Sequence, residues 1–348
     1  MGPMMTPHYS LHQLGWKPFF QHQLSLDELE TLIPARVFGI ERSIIQLLTT
    51  EGPLSMAMTQ SIPNLAVGDW ILIDAQHRFV RLLDRASLFS RKAAGTRVDR
   101  QLISANVESV LIVSSLNNDF NLNRIERYLA LAHEAGVEPI VLLTKADLCD
   151  DPESFVEAVQ ELAQMLPVFA VNAHDWATLQ TLEMWLSPGH TLAFFGSSGV
   201  GKSTLVNTLL GGEVQETNQV REDDSRGRHT TTARSLHLTA SGVLLLDTPG
   251  MRELQLADCE QGVEETFADI ASLTTRCKFS DCQHESEPGC AVQAAIQSGQ
   301  LAERRLVNYH KLMKEQAFNA VTLAEKRAKD KRFSKLVKSA KNIKQQPT

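Results

Sequence analysis

Short apolar segments separated by turn residues occupy the first part of the chain. Between residue 34 and about residue 84, apolar and polar positions alternate, and Gly52-Pro53 and Gly68-Asp69 interrupt the pattern. Several short strands at such close spacing predict a small β-barrel of the OB or the SH3-like type. The predicted strands cover residues 35–39, 43–47, 70–73 and 79–83.

From residue 107 to about residue 258, apolar strands alternate with segments of helical periodicity. This alternation is typical of βαβ units and predicts a mostly parallel, doubly wound sheet. The predicted strands are 110–113, 139–143, 168–171, 192–195, 235–238 and 243–246, and the predicted helices lie near 122–135, 152–166, 177–186 and 202–210.

These patterns predict a multidomain α/β protein. The basic, turn-prone segment at 91–97 indicates a linker after the barrel. The predicted parts are an N-terminal extension (1–33), an OB-like β-barrel (34–92), a linker (93–106), the α/β domain (107–258) and a Cys-rich domain with a basic helical tail (259–348).

Composition and charge are those of a globular protein with 348 residues, 43% of them hydrophobic and 22% charged. The longest apolar runs are strand-sized and far shorter than the roughly 20 residues of a membrane helix, so we expect a soluble chain without membrane contact. Five cysteines without a leader pattern favour a reducing compartment, and the cytoplasm is the predicted location. The net charge of −7 combines a body of −14 with a tail of +7 at 325–348, which either binds phosphates or forms a solvated helix.

A Gly-rich turn follows the predicted strand 192–195 and opens a helical segment. Residues 196–203 match the Walker A pattern, in which glycines let backbone N–H groups converge on phosphate. Lys202 would neutralise the β- and γ-phosphates, and Ser203 would bind Mg²⁺. The residues predicted to bind nucleotide here are Gly196, Ser197, Ser198, Gly199, Val200, Gly201, Lys202, Ser203 and Thr204.

Two further motifs indicate a GTPase. Asp247-Thr248-Pro249-Gly250 follows an apolar strand as a DxxG element does, with Asp247 near Mg²⁺ and the Gly250 amide near the γ-phosphate. Thr144-Lys145-Ala146-Asp147 ends another strand and is similar to the guanine motif NKxD, with Thr144 in place of the usual Asn. Asp147 would accept hydrogen bonds from a donor pair that adenine does not offer, so it would select guanine.

The order of these motifs is unusual, because the guanine motif at 144–147 precedes the phosphate loop at 196–203. Together with Gly227-Arg228-His229-Thr230-Thr231-Thr232, this order resembles the ribosome small subunit-dependent GTPase A (RsgA) family of circularly permuted GTPases. The resemblance extends to Val67-Gly68-Asp69-Trp70, to Arg91–Gly95 and to the later Cys/His cluster, and covers most of residues 34–309.

Several roles follow from that resemblance. Residues 227–232 look like switch I, in which Thr231 would reach Mg²⁺ and the γ-phosphate. Asn172-Ala173 stands where the family usually carries a Ser-Ala base loop. Met251 replaces a water-orienting Gln, which implies slow turnover alone, and His229 is the candidate for orienting the water. A solvated loop histidine is the alternative for His229. The residues with predicted catalytic roles are Lys202, Asp247, Gly250 and His229.

Four potential metal ligands lie within fourteen residues in the C-terminal part. Cys277, Cys282, His284 and Cys290 would form a closed tetrahedral shell for one structural Zn²⁺, and the spacing agrees with the resembled family. Buried thiols without a metal are the alternative. Cys149 and Cys259 have no such neighbours in sequence and are interpreted as packing residues.

The resemblance implies a monomeric GTPase that uses GTP/GDP, Mg²⁺ and Zn²⁺. The implied partners are the small ribosomal subunit with its rRNA, and other assembly factors. Three alternatives stay open: a P-loop ATPase or kinase without guanine selection, an RNA-binding module with a vestigial nucleotide site, and a divergent relative with a different partner.

Overall fold

The computed structural model describes residues 8–41, 43–92, 100–117, 119–163, 165–209, 234–247 and 259–317. The chain forms two compact units: the described parts of residues 1–89 and 102–253 make up the first, and those of residues 90–101 and 254–348 the second. The predicted basic tail at 325–348 lies outside the described residues. Among the described helices, none is both long enough and apolar enough to span a membrane.

Strands dominate the first unit, and eleven of the described strands belong to one hydrogen-bonded sheet with the order β10-β9-β8-β11-β13-β12-β1-β2-β3, in which β4 pairs with β1 and with β5. Strands β6 and β7 pair with each other. The strands are β1 (Ile33–Glu41), β2 (Ile44–Thr49), β3 (Gly52–Ala57), β4 (Trp70–Ile73), β5 (Phe79–Leu82), β6 (Leu88–Lys92), β7 (Arg100–Ala105), β8 (Ser109–Ser115), β9 (Glu138–Thr144), β10 (Val168–Val171), β11 (Thr191–Phe195), β12 (Arg234–Leu238) and β13 (Leu244–Asp247).

Helices cover the α/β part of this sheet and build most of the second unit. The helices are α1 (Pro18–Gln21), α2 (Leu26–Thr31), α3 (Leu122–Glu134), α4 (Pro152–Gln160), α5 (Trp176–Leu179), α6 (Lys202–Leu209), α7 (Glu260–Thr266), α8 (Ala268–Thr274) and α9 (Ala291–Gln297), with 3-10 helices at Ala146–Leu148 and Gln180–Trp185 and further helical residues at 303–317.

The α/β part confirms the predicted mostly parallel sheet. Strands β10, β9, β8, β11 and β13 run parallel to their neighbours, and β12 pairs antiparallel with β13. Every residue of β8 and β11 is buried, which explains why residues 110–113 and 192–195 are continuously apolar rather than alternating. Because the strands are parallel, the chain leaves β8, β9 and β11 at one shared edge of the sheet.

The small sheet β1–β5 is barrel-like and closely tied to the α/β part. The first half of β1 pairs with β4 and its second half with β2, an exchange of partners typical of a strongly coiled OB strand. In addition, Gly39 and Ile40 pair with Ser235 and Arg234 of β12. Strand β1 therefore belongs to both halves of the unit, which a pattern read along the chain does not reveal.

All four residues of β4 are buried because the strand is covered on both faces. Ile71 and Ile73 point into the interior of the barrel-like sheet. Trp70 and Leu72 pack instead against the N-terminal segment, where the ring of Trp16 meets that of Trp70 edge-on at 4.8 Å. The N-terminal extension is thus an integral layer of the unit.

A fully buried arginine joins the N-terminal segment, the barrel-like sheet and the α/β part. Arg36 Nη1 donates to the Leu14 carbonyl (2.6 Å), and Nη2 donates to the Asn106 carbonyl (3.1 Å) and to Thr191 Oγ1 (2.9 Å). The guanidinium also lies 5.7 Å from the ring of Trp70. Burial lowers the pKa of Arg36 to about 10, which still leaves the group charged at neutral pH.

The motif Val67–Trp70 forms a second contact at this junction. Gly68 adopts a φ of +93°, and a Cβ there would lie 2.1 Å from the Ala105 carbonyl oxygen, so only glycine fits. Buried Asp69 accepts bonds from the Ala66 amide (2.7 Å) and from two nitrogens of Arg85 (2.7 and 2.8 Å). The motif therefore has a structural role between the barrel-like sheet and β7.

In the second unit, an ion pair connects α8 to the helical residues 303–317. Arg305 donates to both carboxylate oxygens of Asp269 (2.6 and 3.0 Å) and to the Thr266 carbonyl. Its guanidinium lies 4.9 Å from the ring of Phe267. These contacts attach residues 303–317 to α7 and α8.

Three secondary-structure predictions differ from the structure. Residues 100–105, expected within a linker, form strand β7. The helix expected near 152–166 ends at Gln160, after which i→i+3 turns lead toward Pro167. The helix expected near 177–186 is mainly the 3-10 helix Gln180–Trp185. Its buried side chains, Leu182 and Trp185, continue from buried Leu179 at the end of α5 with a three-residue period.

Replacing Arg36 is expected to destabilise the first unit. Arg36→Met keeps most of the volume but leaves three buried acceptors without their donor, which costs about 3 kcal/mol and lowers the thermal midpoint by roughly 5–10 °C. The control is Arg78→Met, because Arg78 forms an exposed pair with Asp74. Equal midpoints for the two variants, measured by calorimetry, would contradict the structural role of Arg36.

Candidate nucleotide-binding site

The predicted phosphate loop connects the end of β11 to the start of α6. Its first residue, Gly196, has a φ of +145°, and a Cβ there would lie 2.4 Å from the Val113 carbonyl of β8. Gly199 and Gly201 also have positive φ angles. The loop therefore packs against the neighbouring strand while its backbone curls in a conformation that favours glycine.

Lys202 lies back over this loop. Its Nζ donates to the Gly196 carbonyl (2.7 Å) and to the Ser197 carbonyl. The ammonium group is thereby held beside the loop backbone, where its charge favours an anion. Ser203 and Thr204 follow in the first turn of α6.

The predicted guanine motif lies beside the phosphate loop and is bonded to it. Thr144 is the fully buried last residue of β9, and its Oγ1 donates to the Val200 carbonyl at 2.6 Å. The Thr144 hydroxyl thus links the guanine motif to the phosphate loop. Lys145 adopts a left-handed φ of 61°, and Asp147 is exposed on the following 3-10 turn.

The predicted base loop completes this convergence. Asn172 and Ala173 follow β10, which pairs with β9 up to Val171↔Thr144. The Ala173 carbonyl accepts from Thr208 Oγ1 of α6 at 2.7 Å. A Cβ on Gly201 would lie 3.7 Å from Thr144 Oγ1 and 3.8 Å from Ala173 Cβ, so all three segments meet.

The side chain of Asn172 is used within its own loop. Asn172 Oδ1 accepts from the His174 amide (3.0 Å), while Thr178 Oγ1 donates to the Asn172 carbonyl (2.9 Å). The Asn172 side-chain oxygen therefore shapes the turn.

The predicted DxxG element begins at the end of β13. Asp247 ends β13, which runs parallel to β11, and its backbone thus lies at the edge from which the phosphate loop emerges. Its side chain, together with His229, Thr231 and Gly250, lies outside the described residues.

An ion pair absent from the sequence prediction contacts the phosphate loop. Arg124 Nη1 lies 2.8 Å from both carboxylate oxygens of Asp119 and donates to Ser197 Oγ at 2.8 Å. Ser197 Oγ in turn donates to Asp119 Oδ2 at 2.6 Å. Asp119 belongs to the turn after β8, at the same sheet edge.

The second unit brings the four predicted metal ligands together. One potential ligand atom from each of Cys277, Cys282, His284 and Cys290 lies within 4.8 Å of the others. His284 Nδ1 faces Cys277 Sγ (3.6 Å) and Cys290 Sγ (3.5 Å). Desolvation, with the neighbouring thiols, raises the pKa of Cys282 to about 11, and a bound cation would favour the thiolate.

Fold and site together define the class of this protein as a P-loop GTPase with permuted motif order. A family model described as RsgA GTPase matches residues 82–257. An ABC transporter model also matches residues 179–345, a range that includes the phosphate loop but not the guanine motif.

Curated relatives agree along almost the full chain. "Small ribosomal subunit biogenesis GTPase RsgA 2" of Vibrio parahaemolyticus is 57% identical and covers 94% of this chain and 92% of its own. "Small ribosomal subunit biogenesis GTPase RsgA" of Mesorhizobium japonicum is 45% identical, and the match covers 89% of this chain and 91% of the relative. The chain belongs to the RsgA GTPase family, so it is a GTP hydrolase whose family implies GTP/GDP and Mg²⁺.

Two solved structures share the fold. The crystal structure of YjeQ from Thermotoga maritima has a TM-score of 0.61 at 24% identity, over 82% of this chain and 98% of its own. That of YloQ, described as a circularly permuted GTPase, has a TM-score of 0.59 at 24% identity, with 82% and 94% covered.

Removing the Thr144 hydroxyl is expected to weaken nucleotide binding. Thr144→Val preserves shape but leaves the Val200 carbonyl without its donor, which corresponds to about 1.4 kcal/mol or roughly tenfold in GDP affinity. Titration with fluorescent GDP measures this effect. Thr181→Val, at an exposed threonine on the 3-10 helix, is the control. Unchanged affinity in Thr144→Val would show that the bond does not position the loop.

Proposed function

We propose that this GTPase binds the small ribosomal subunit and couples GTP hydrolysis to late subunit maturation or to release of an assembly factor. The observation that supports it most is the meeting of Thr144, Ala173 and Gly201, which brings guanine, base-loop and phosphate motifs to one sheet edge. The partner is inferred from the printed names of relatives that match over most of their length. Monomeric state, cytoplasmic location and other assembly factors stay predictions.

In the proposed site, different residues select guanine and bind the phosphates. Asp147, exposed in the middle of the 3-10 turn, would accept hydrogen bonds from the ring N–H and the exocyclic amine of guanine, while the stem of Lys145 would pack on the base. The Ala173 backbone would lie beside the guanine oxygen, with Asn172 shaping the turn. A P-loop ATPase or kinase is disfavoured because adenine would leave Asp147 without this donor pair.

At the phosphate end, Lys202 and the loop amides would offset the charge that develops during transfer. Ser203 and Thr231 would hold Mg²⁺, with Asp247 nearby through water, and bound Mg²⁺ would supply electrostatic stabilisation of the phosphates. The Gly250 amide would sense the γ-phosphate. His229 is proposed to orient the attacking water, since Met251 has no hydrogen-bonding group suited to that task.

The Cys277–Cys282–His284–Cys290 cluster is proposed to hold one structural Zn²⁺. Three thiolates and one imidazole form a closed tetrahedral set, with no position left for a substrate. Two contacts support the ligand geometry: Gln293 Nε2 donates to the His284 carbonyl at 2.6 Å, and the Gln293 amide donates to Cys290 Sγ. The donor set fits zinc in both chemistry and mutual distance.

Zinc content tests this proposal directly. We expect about one zinc per wild-type chain and a large loss in Cys282→Ser, because a three-ligand shell binds the ion less tightly. Cys149→Ser, outside the cluster, should keep the metal. The measurement is elemental mass spectrometry of the purified protein after dialysis, and equal zinc in the Cys282 and Cys149 variants would exclude the cluster as the site.

Hydrolysis with and without the partner tests the proposed function. Purified protein should hydrolyse GTP slowly, and added small ribosomal subunits should stimulate it strongly, with no comparable effect on ATP. Lys202→Ala should abolish the stimulated rate because the phosphate charge is no longer offset. Phosphate release is the readout. Tight GTP binding without stimulation would be consistent with a GTPase but would exclude the small ribosomal subunit as its partner.

A further inference from the structure

The Asp119–Arg124 pair belongs to none of the motifs described above, yet it contacts the second residue of the phosphate loop. The two residues lie in the turn after β8 and in the first turns of α3, and Ser197 lies more than seventy positions later. Ser197 Oγ both accepts from Arg124 and donates to Asp119, so its rotamer is fixed from two sides.

Local structure holds this pair in place. The Asp119 amide donates to Asn117 Oδ1 at 3.0 Å, and Asn121 Oδ1 caps α3 by accepting from the Arg124 amide at 3.1 Å. The ring of Phe120 packs edge-on against that of Phe155 at 4.8 Å. The turn is thus fixed on both sides of Asp119 by contacts independent of the phosphate loop.

The pair is too exposed to contribute much to overall stability. The side chains of Arg124 and Asp119 are 35% and 36% exposed, and ion pairs of that exposure contribute little to unfolding free energy. Its effect is therefore expected to be local. Hydrogen bonds from Arg124 and from the Ser197 hydroxyl lower the pKa of Asp119, and the charge of Lys145 lowers it further.

Ser197 also contacts Lys202, the lysine proposed to bind phosphate, through its backbone carbonyl. The Ser197 carbonyl, together with that of Gly196, accepts from Lys202 Nζ. A fixed Ser197 therefore fixes the backbone oxygens that orient the ammonium. Pre-organised groups bind an anion more tightly, because they do not lose conformational freedom when it arrives.

We propose that Asp119 and Arg124 are positioning residues for nucleotide binding, which act by clamping Ser197 and through it the half of the phosphate loop that orients Lys202. The clamp slows nucleotide release and does not itself touch the nucleotide. The inference rests on the proposed GTP site, but it does not depend on the ribosomal partner.

A double-mutant cycle on nucleotide release tests the clamp. Fluorescent GDP is displaced by excess GDP from wild type, Arg124→Ala, Ser197→Ala and the double variant, all as full-length protein. Each single variant should release GDP roughly three- to tenfold faster, and the double variant no faster than the quicker single one, because both remove the same interaction. The proposal would be overturned if the increase in release rate in the double variant equalled the product of the two single increases, or if neither single variant released GDP faster.

Arg78→Ala is the matched control, since Arg78 pairs with Asp74 at 2.7 Å on the barrel-like sheet, away from the phosphate loop. It should release GDP at the wild-type rate. Thermal midpoints measured without nucleotide should agree among all variants. A lower midpoint in Arg124→Ala alone, large enough to account for its faster GDP release, would indicate general destabilisation and overturn the proposal. If Arg124→Ala does not fold, Asp119→Asn replaces it in the same cycle. Failure of wild type to bind GDP would instead reject the GTP site.

Discussion

The buried guanidinium of Arg36 is the interaction on which the first unit depends. Its removal from water is unfavourable, and three oxygens offset that cost by accepting its hydrogen bonds. Those oxygens come from the N-terminal segment, from the stretch before β8 and from the start of β11. A charged group with acceptors in three separate segments favours a single arrangement of them, because any other leaves its buried N–H groups without acceptors.

The contacts of Arg36 also involve the strands that lead to the predicted nucleotide motifs. Thr191, one of the Arg36 acceptors, begins β11, and β11 ends directly before the phosphate loop. Strand β1, which carries Arg36, also pairs with β12 at Gly39 and Ile40. The barrel-like sheet is therefore bonded to the strand that precedes the phosphate loop and to the strand that follows the predicted switch I segment. A site built on such fixed strands keeps its loops in register.

Sequence reasoning succeeded where a local pattern determines the outcome. Buried parallel strands are continuously apolar, and Walker A glycines have a conformational requirement visible in the sequence, so β8, β11 and the phosphate loop were predictable. Arg36 lies in a segment where apolar and polar positions alternate, and its three acceptors lie 22, 70 and 155 residues away along the chain. Likewise, the Thr144 hydroxyl donates to the carbonyl of Val200, which lies 56 positions later in the chain. Such contacts depend on tertiary packing, which no local pattern encodes.

The permuted motif order brings the DxxG element close to the second unit along the chain. Among the described strands of the sheet, β13 comes last in sequence, and α7 of the second unit begins ten positions after Gly250. In the common order, guanine-motif strands and helices would come between them. The permuted order therefore makes the DxxG element the last of the predicted nucleotide motifs along the chain, directly before the unit that carries the Cys/His cluster.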